Sequence, residues 1–288
     1  MTSIDIIQPA ADPSAAVERH ANPAVRFVRR RPLLTFFVLS CALAWWPAPL
    51  YAHGWLPSAQ TGIGPFLAAL VVLAVTQGRP GVRRLLAGML HWRVPVRAYA
   101  AAVGVPLLVS GAAIGLTLAT GAADPGAAAL TAWTGIPVTA LLLLIVPGIG
   151  GAWEEPGFRG YALAPLERRF GGLGGPLVLG VLWTGWHLPS FVTGDILWPD
   201  VLVILAASVV LASVFHLGRD SVLIAMLFHA TNNAVGGSYA SQLFHGADKT
   251  RLNVITAAGW IAVAVAVELT RRRRAGRVAG AGAPAAHQ

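Results

Sequence analysis

Charged residues are scarce. Asp, Glu, Lys and Arg make up 11% of the 288 residues, against about 25% in a soluble globular domain, and that shortage excludes an ordinary water-facing surface. The single cysteine, Cys41, excludes an intramolecular disulfide and offers no thiolate metal cluster. HExxH is absent. GIGG at 148–151 and GGLGG at 171–175 lack the Lys-Ser/Thr of a phosphate loop and the preceding strand of a dinucleotide fold, so nucleotide chemistry has no anchor here. The first 28 residues lack the basic start and early apolar core of a cleaved signal peptide. With Asp5, Asp12 and Glu18 they read as a loose polar arm.

What is abundant is apolar length. The chain is 56% hydrophobic with a mean hydropathy of +0.64. Eight runs approach the length of a bilayer span: 33–51, 63–77, 99–119, 136–153, 174–192, 201–217, 221–235 and 252–269. The expected fold is therefore all-α, a polytopic integral membrane bundle of about eight transmembrane helices, with 63–77 and 221–235 the shortest. The net charge of +9 comes from arginines clustered at 29–31, 79–97, 159–169 and 271–274, whereas the loops 52–62, 120–133 and 193–200 hold no Lys or Arg. That alternation is the positive-inside pattern. It puts both termini in the cytoplasm and argues for lipid, not nucleic acid, as the partner of the basic charge. Lys249 and Arg251 are the exceptions to it.

The expected organisation is a disordered cytoplasmic arm over 1–32, one integral membrane domain over 33–270 and a basic cytoplasmic tail over 271–288 that anchors at lipid headgroups. The expected location is the plasma membrane, crossed many times. Segment 78–98, GRPGVRRLLAGMLHWRVPVRA, is basic and amphipathic, with Trp92 as an interfacial ring, and is expected on the cytoplasmic surface. GIGG is expected inside the fourth span, where small residues let helices approach closely.

A few polar residues fall where lipid should be. Glu154 and Glu155 follow the uncharged run TALLLLIVPGIGGAW, and PGFRGYALAPL continues apolar beyond them until Glu167-Arg168-Arg169. Arg168 lies 14 residues from Glu154, roughly 20 Å of helix. His187 lies 13 residues into the fifth run, at a similar depth, and FHATNNAVGG places His229 and Asn233 one turn apart on one helical face. Each ionisable group inside a span costs about 2.5–3.5 kcal/mol on insertion scales and is functional by default. Three helices bringing such groups to one depth point to a shared site.

The chemistry open to this set is hydrolytic. A carboxylate kept from bulk water takes and returns a proton near neutrality, an imidazole orients water, and His with Asn on one face offers donors to an oxyanion. Glu155 and Arg159, four residues apart, suit an internal ion pair that holds the Pro156-Gly157 kink. The same residues admit other readings. Two His with Glu154 and Asn233 resemble ligands of a divalent metal such as zinc, although they are scattered over three helices and Asn is a poor zinc ligand. A proton or ion relay would also use buried Glu and His, but no inverted repeat of broken helices accompanies them.

These stretches resemble the signature of the CAAX-protease and bacteriocin-processing family of intramembrane glutamate proteases, also called CPBP intramembrane metalloproteases. EExxxR is matched by Glu154 to Arg159, FxxxH at His187 with Trp183 in place of Phe, and HxxxN by His229 and Asn233. The resemblance covers about 80–270, with the signature itself over about 130–240. It implies an endopeptidase working in a membrane cavity near the cytoplasmic side on a membrane-associated protein or peptide. By matched position, Glu154 is the general base with His187, His229 and Asn233 stabilise the oxyanion, and Glu155, Arg159 and Trp183 support them. Trp183 is expected to alter the shape of the cavity and not its chemistry. The resemblance favours no cofactor and leaves a metal-dependent version open. A non-enzymatic membrane scaffold or bacteriocin self-immunity protein is the alternative of another class. The Arg/Ala/Gly-rich composition points to a GC-rich bacterial genome, and so away from prenylated substrates.

Overall fold

The structure, a computed structural model, describes residues 22–281. Nine principal helices carry the architecture: α1 (Pro23–Arg30), α2 (Pro32–Trp45), α3 (Gly64–Met89), α4 (Val96–Ala119), α5 (Ile136–Ile145), α6 (Leu163–Trp186), α7 (Trp198–Leu217), α8 (Val222–Asn232) and α9 (Gly246–Ala281). No strand occurs among the described residues, in keeping with the expected all-α membrane bundle. Residues 1–21 of the expected arm lie outside the described residues, and the remainder is not disordered. Asn22 accepts a hydrogen bond from the Ala24 N–H and Pro23 opens α1; a side-chain cap and a proline preset for the first turn start a helix there.

Among the described residues, six helical segments are long and apolar enough to cross a membrane, against the eight expected: Pro32–Ala52, Gly64–Met89, Val96–Ala119, Ala127–Ile145, Trp198–Leu217 and Gly246–Arg273. The other two runs are helical but differ in kind. The fifth belongs to α6, whose first turns carry Glu167, Arg168 and Arg169. The seventh gives only 11 α-helical residues in α8 before a π-helical stretch, Asn233–Ala240. α8 is packed by α4, α5, α7 and the turn at 151–154. Val222, Ile224, Ala225, Phe228 and Ala230 are buried, so neighbouring helices take the place of lipid.

Two breaks decide how the chain returns on itself. Within α3, Gly78 has φ 63° and ψ −158°, so the span ends at Gln77, where the apolar run ends, and 79–89 folds back. That segment is more than a surface helix: Gly81 and Leu85 are buried, while its arginines stay exposed. Within α6, Gly171 at φ 79° and ψ 171° occupies a conformation open to glycine and strained for other residues. There the chain reverses, bringing Trp183 back to Glu154, 29 residues earlier.

The fourth span differs from expectation. α5 stops at Ile145, Val146 is extended, and 146–150 is an irregular loop. Pro147 cannot continue the ladder and the glycines of GIGG favour open backbone, so this motif ends the helix and does not tighten it. The loop is held inside the protein: the Trp153 indole N–H donates to Leu144 O (3.2 Å), and the Gly62 N–H and Thr61 hydroxyl both donate to Gly148 O (3.4 and 3.3 Å). Non-helical backbone at membrane depth is tolerated only when so enclosed.

The arginine clusters gather at one end. Arg29, Arg84 and Arg168 line one cavity there, and a Cβ placed on Gly172, beside the reversal, would stand 3.1 Å from Arg271 Nη1. At the other end Arg251 has local partners, with Nη1 donating to Thr120 O (3.0 Å) and lying 3.4 Å from Asp248. One of the two cations that depart from the charge pattern thus ties the start of α9 to the end of α4.

Candidate active site

The polypeptide through the two glutamates is irregular helix from end to end: a 3₁₀ turn Gly151–Glu154, one α turn Glu155–Gly157 and a π turn Phe158–Ala162. π turns inside helices recur at functional sites because they re-aim side chains. Here the sequence dictates the distortion, since Pro156 removes a backbone donor just after the glycine-rich loop. The result turns Glu154, Glu155 and Arg159 inward, at 4%, 0% and 1% exposure.

Glu155 is the hub of the buried charges. Its Oε1 accepts from Arg159 Nη1 at 3.1 Å and from His229 Nδ1 at 2.6 Å. Oε2 also lies 3.1 Å from Nη1 but out of hydrogen-bond alignment. Arg159 Nη2 donates to Ser208 Oγ (3.3 Å), whose own hydroxyl donates to Pro176 O (2.8 Å). The guanidinium lies over the Trp183 ring, 4.6 Å from its centroid. Taking such a pair out of water is tolerable only when further hydrogen bonds surround it, and Ser208, His229 and the indole face supply them.

Glu154 is bound differently. The Trp183 indole N–H donates to Glu154 Oε2 at 2.7 Å, and no hydrogen bond to Oε1 is formed among the described residues. Trp183 therefore does more than shape the cavity. It grips the carboxylate through a donor that Phe lacks, which corrects the expectation from sequence. Its ring also stands edge-on to His229, with centroids 5.3 Å apart.

His187 caps α6 one turn beyond Trp183. Its Nδ1 donates to Trp183 O at 2.9 Å, which leaves Nε2 free, and its ring lies 5.7 Å from the Trp183 ring. It makes no hydrogen bond to Glu154. Asn233 follows His229 by one turn, half-buried at the start of the π stretch, with no side-chain hydrogen bond among the described residues. The expected residues thus divide: Glu154, Glu155, Arg159, Trp183 and His229 form one contact network, while His187 and Asn233 flank it. Glu154 Oε1 faces Gly62, at 3.7 Å from where a Cβ there would stand. Gly62 lies 15 residues before Gln77, about 22 Å of helix, so the carboxylate sits away from the arginine-rich end and not beside it.

Three contributors escaped the sequence reading. A Cβ on Gly151 would come within 2.0 Å of His229 Nε2, so only glycine lets the imidazole lie against this loop. Ser208 is one of two hydroxyls in an otherwise apolar stretch of α7 and the one that is fully buried; a hydroxyl there was the available signal, since buried hydroxyls need partners. Gln60 is the amide in the loop before α3. Its Nε2 donates to Trp186 O (3.1 Å) and its Oε1 accepts from Ser190 Oγ (3.2 Å), clamping the corner that carries His187. Replacing Gln60 by Ala removes two bonds worth about 0.5–1.5 kcal/mol each. Amide hydrogen exchange over 185–191 is expected to quicken, with α8 unchanged; equal exchange in both proteins would show that the clamp holds nothing.

The donors do not converge as a metal centre. No group of three or more His, Cys, Asp or Glu side chains close enough to share an ion occurs among the described residues. Glu155 is committed to Arg159 and His229, and one oxygen of Glu154 to Trp183.

Fold and site together define a multi-pass helical membrane protein with a buried carboxylate, histidine and arginine centre. Residues 132–235, which hold every motif residue of that centre, match the family described as type II CAAX prenyl endopeptidase Rce1-like. The likeness is to this segment of the chain. A CAAX prenyl protease 2 from Methanococcus maripaludis is 27% identical over 106 residues, which cover 33% of this chain and 37% of that relative. The match therefore spans little more than a third of the curated relative.

Proposed function

We propose that this protein is an intramembrane endopeptidase in which Glu154 activates water to hydrolyse a peptide bond of a membrane-associated protein. The observation that carries the reading is the unequal treatment of adjacent carboxylates. Glu155 is consumed by Arg159 and His229, as structural charge is. Glu154, almost as withdrawn from solvent, has no such partner: its one hydrogen bond is to the neutral Trp183 indole, through Oε2, and Oε1 stays free to act. A scaffold needs Glu155; it has no use for Glu154. The name of the Methanococcus relative, a prenyl protease, agrees with hydrolysis, and the substrate class remains part of the proposal.

In this mechanism Glu154 Oε1 takes a proton from water, which attacks the scissile carbonyl, and the same carboxyl group returns the proton to the leaving amine. Trp183 fixes the carboxylate through Oε2 and so aims Oε1. The His187 ring, with Nδ1 committed to Trp183 O, presents Nε2 to that water. His229 is held by Glu155 through Nδ1, and together with the Asn233 amide it stabilises the developing oxyanion.

Asn233→Asp separates this scheme from a metal-dependent one. Losing an oxyanion donor costs on the order of 10²–10³ in rate, and a carboxylate there adds repulsion where negative charge develops. The expected result is an Asp variant no better than Asn233→Ala, with wild-type activity indifferent to chelation. An active Asp variant together with loss on chelation and recovery on adding zinc would overturn the metal-free scheme, because Asp is the better oxygen ligand, and would leave hydrolysis standing.

A further inference from the structure

A cavity of about 560 Å³ opens at the arginine-rich end, between α1, α2, the folded-back part of α3, the start of α6 and the turn from α7 to α8. Its charges are unbalanced. Arg29, Arg84 and Arg168 line it, and none of the three has an acidic partner among the described residues: Arg29 Nε donates to Val75 O and Arg84 to the Gln77 amide oxygen. The two carboxylates in the same wall, Glu167 and Asp220, are both taken by His216, at 2.9 and 2.7 Å. Deeper in, the wall includes Arg159, whose buried Nε has no hydrogen-bond partner.

The rest of the lining is apolar, with Leu33, Leu73, Leu85 and Phe215 beneath the cationic rim. A small inorganic anion would satisfy the rim and leave this floor to water. An acidic phospholipid satisfies both. Arginines bind phosphate oxygens in paired hydrogen bonds, and basic pockets between membrane helices on the positive side hold anionic headgroups. We propose that this cavity is a binding site for the phosphate headgroup of an anionic phospholipid, with an acyl chain along the apolar wall. The cavity meets the hydrolytic centre only at Arg159; the headgroup is assigned to Arg29, Arg84 and Arg168, and its binding does not depend on the proposed activity.

The test uses the full chain in neutral detergent, with phosphatidylglycerol, phosphatidylcholine or inorganic phosphate added, and reads bound lipid by native mass spectrometry and thermal unfolding in parallel. The wild type is expected to retain phosphatidylglycerol about tenfold better than Arg84→Gln/Arg168→Gln, each cation near an anionic headgroup adding a favourable increment. Phosphatidylcholine is expected to be retained weakly and equally by both. Arg84→Lys/Arg168→Lys keeps the charge, reports on folding, and is expected to retain most of the preference. Equal retention of the two lipids by the wild type would overturn the proposal, as would a preference that survives in the Gln variant. Thermal stabilisation by inorganic phosphate as large as that by phosphatidylglycerol would overturn the lipid assignment in favour of a free oxyanion.

Discussion

Glu154→Gln is expected to abolish hydrolysis while the protein folds and inserts as before. Gln keeps the length and an oxygen for the Trp183 indole N–H, so the bond now at 2.7 Å survives and the wall around it has no reason to move. Only the proposed base is lost. A positioned general base contributes about 10²–10⁴ in rate, and no neighbour replaces it: Glu155 is the nearest carboxylate in sequence and is held by Arg159 and His229. Thermal unfolding in detergent should be unchanged within a few degrees. A variant that cleaves at the wild-type rate would remove Glu154 from the mechanism. One that fails to insert would give it a structural role instead.

The second large effect falls on stability. Glu155→Gln leaves Arg159 fully buried without its counter-charge and weakens the acceptor of His229. Removing one partner of a buried pair costs about 3–5 kcal/mol, a large share of the stability of most folds. The variant is expected to unfold at a clearly lower temperature and to lose activity through His229 as well. The double variant Glu155→Gln/Arg159→Met should recover much of the stability, because no stranded charge remains. It should not recover activity, since His229 still lacks its carboxylate. Additive losses in the double variant would show that the pair is not coupled as its 3.1 Å contact requires. The two single variants thus distinguish adjacent residues of the same type, one proposed to act in chemistry and one proposed to hold the site together.

Much of this was legible in the sequence, for identifiable reasons. The apolar run 63–77 ends where Gly78 breaks α3, and the Glu155–Arg159 spacing predicts the ion pair. Antiparallel return of the chain between Glu154 and His187 follows from counting inward from Arg168, and Gly171 supplies the reversal. Other features were ambiguous in one dimension. Small residues in an apolar stretch signal either close helix packing or a break, and GIGG is a break because Thr61 and Gly62, far away in sequence, capture Gly148 O. The run 221–235 looked like a short span because hydropathy does not distinguish lipid from the helices that surround α8. Trp183 looked like a change of shape because its indole N–H matters only once Glu154 is opposite it. Gln60 gave no pattern and Ser208 only a hydroxyl in an apolar helix, since each acts through contacts far away in sequence.

The central claim is that Glu154 cuts membrane-associated protein. The measurement that meets it most directly compares protein termini in membranes of cells expressing the wild type and Glu154→Gln at equal levels. The account predicts a defined set of new N-termini, close to membrane segments, present with the wild type and absent with the variant. Identical termini in the two membranes, with both proteins correctly inserted, would contradict it and leave a membrane scaffold as the reading.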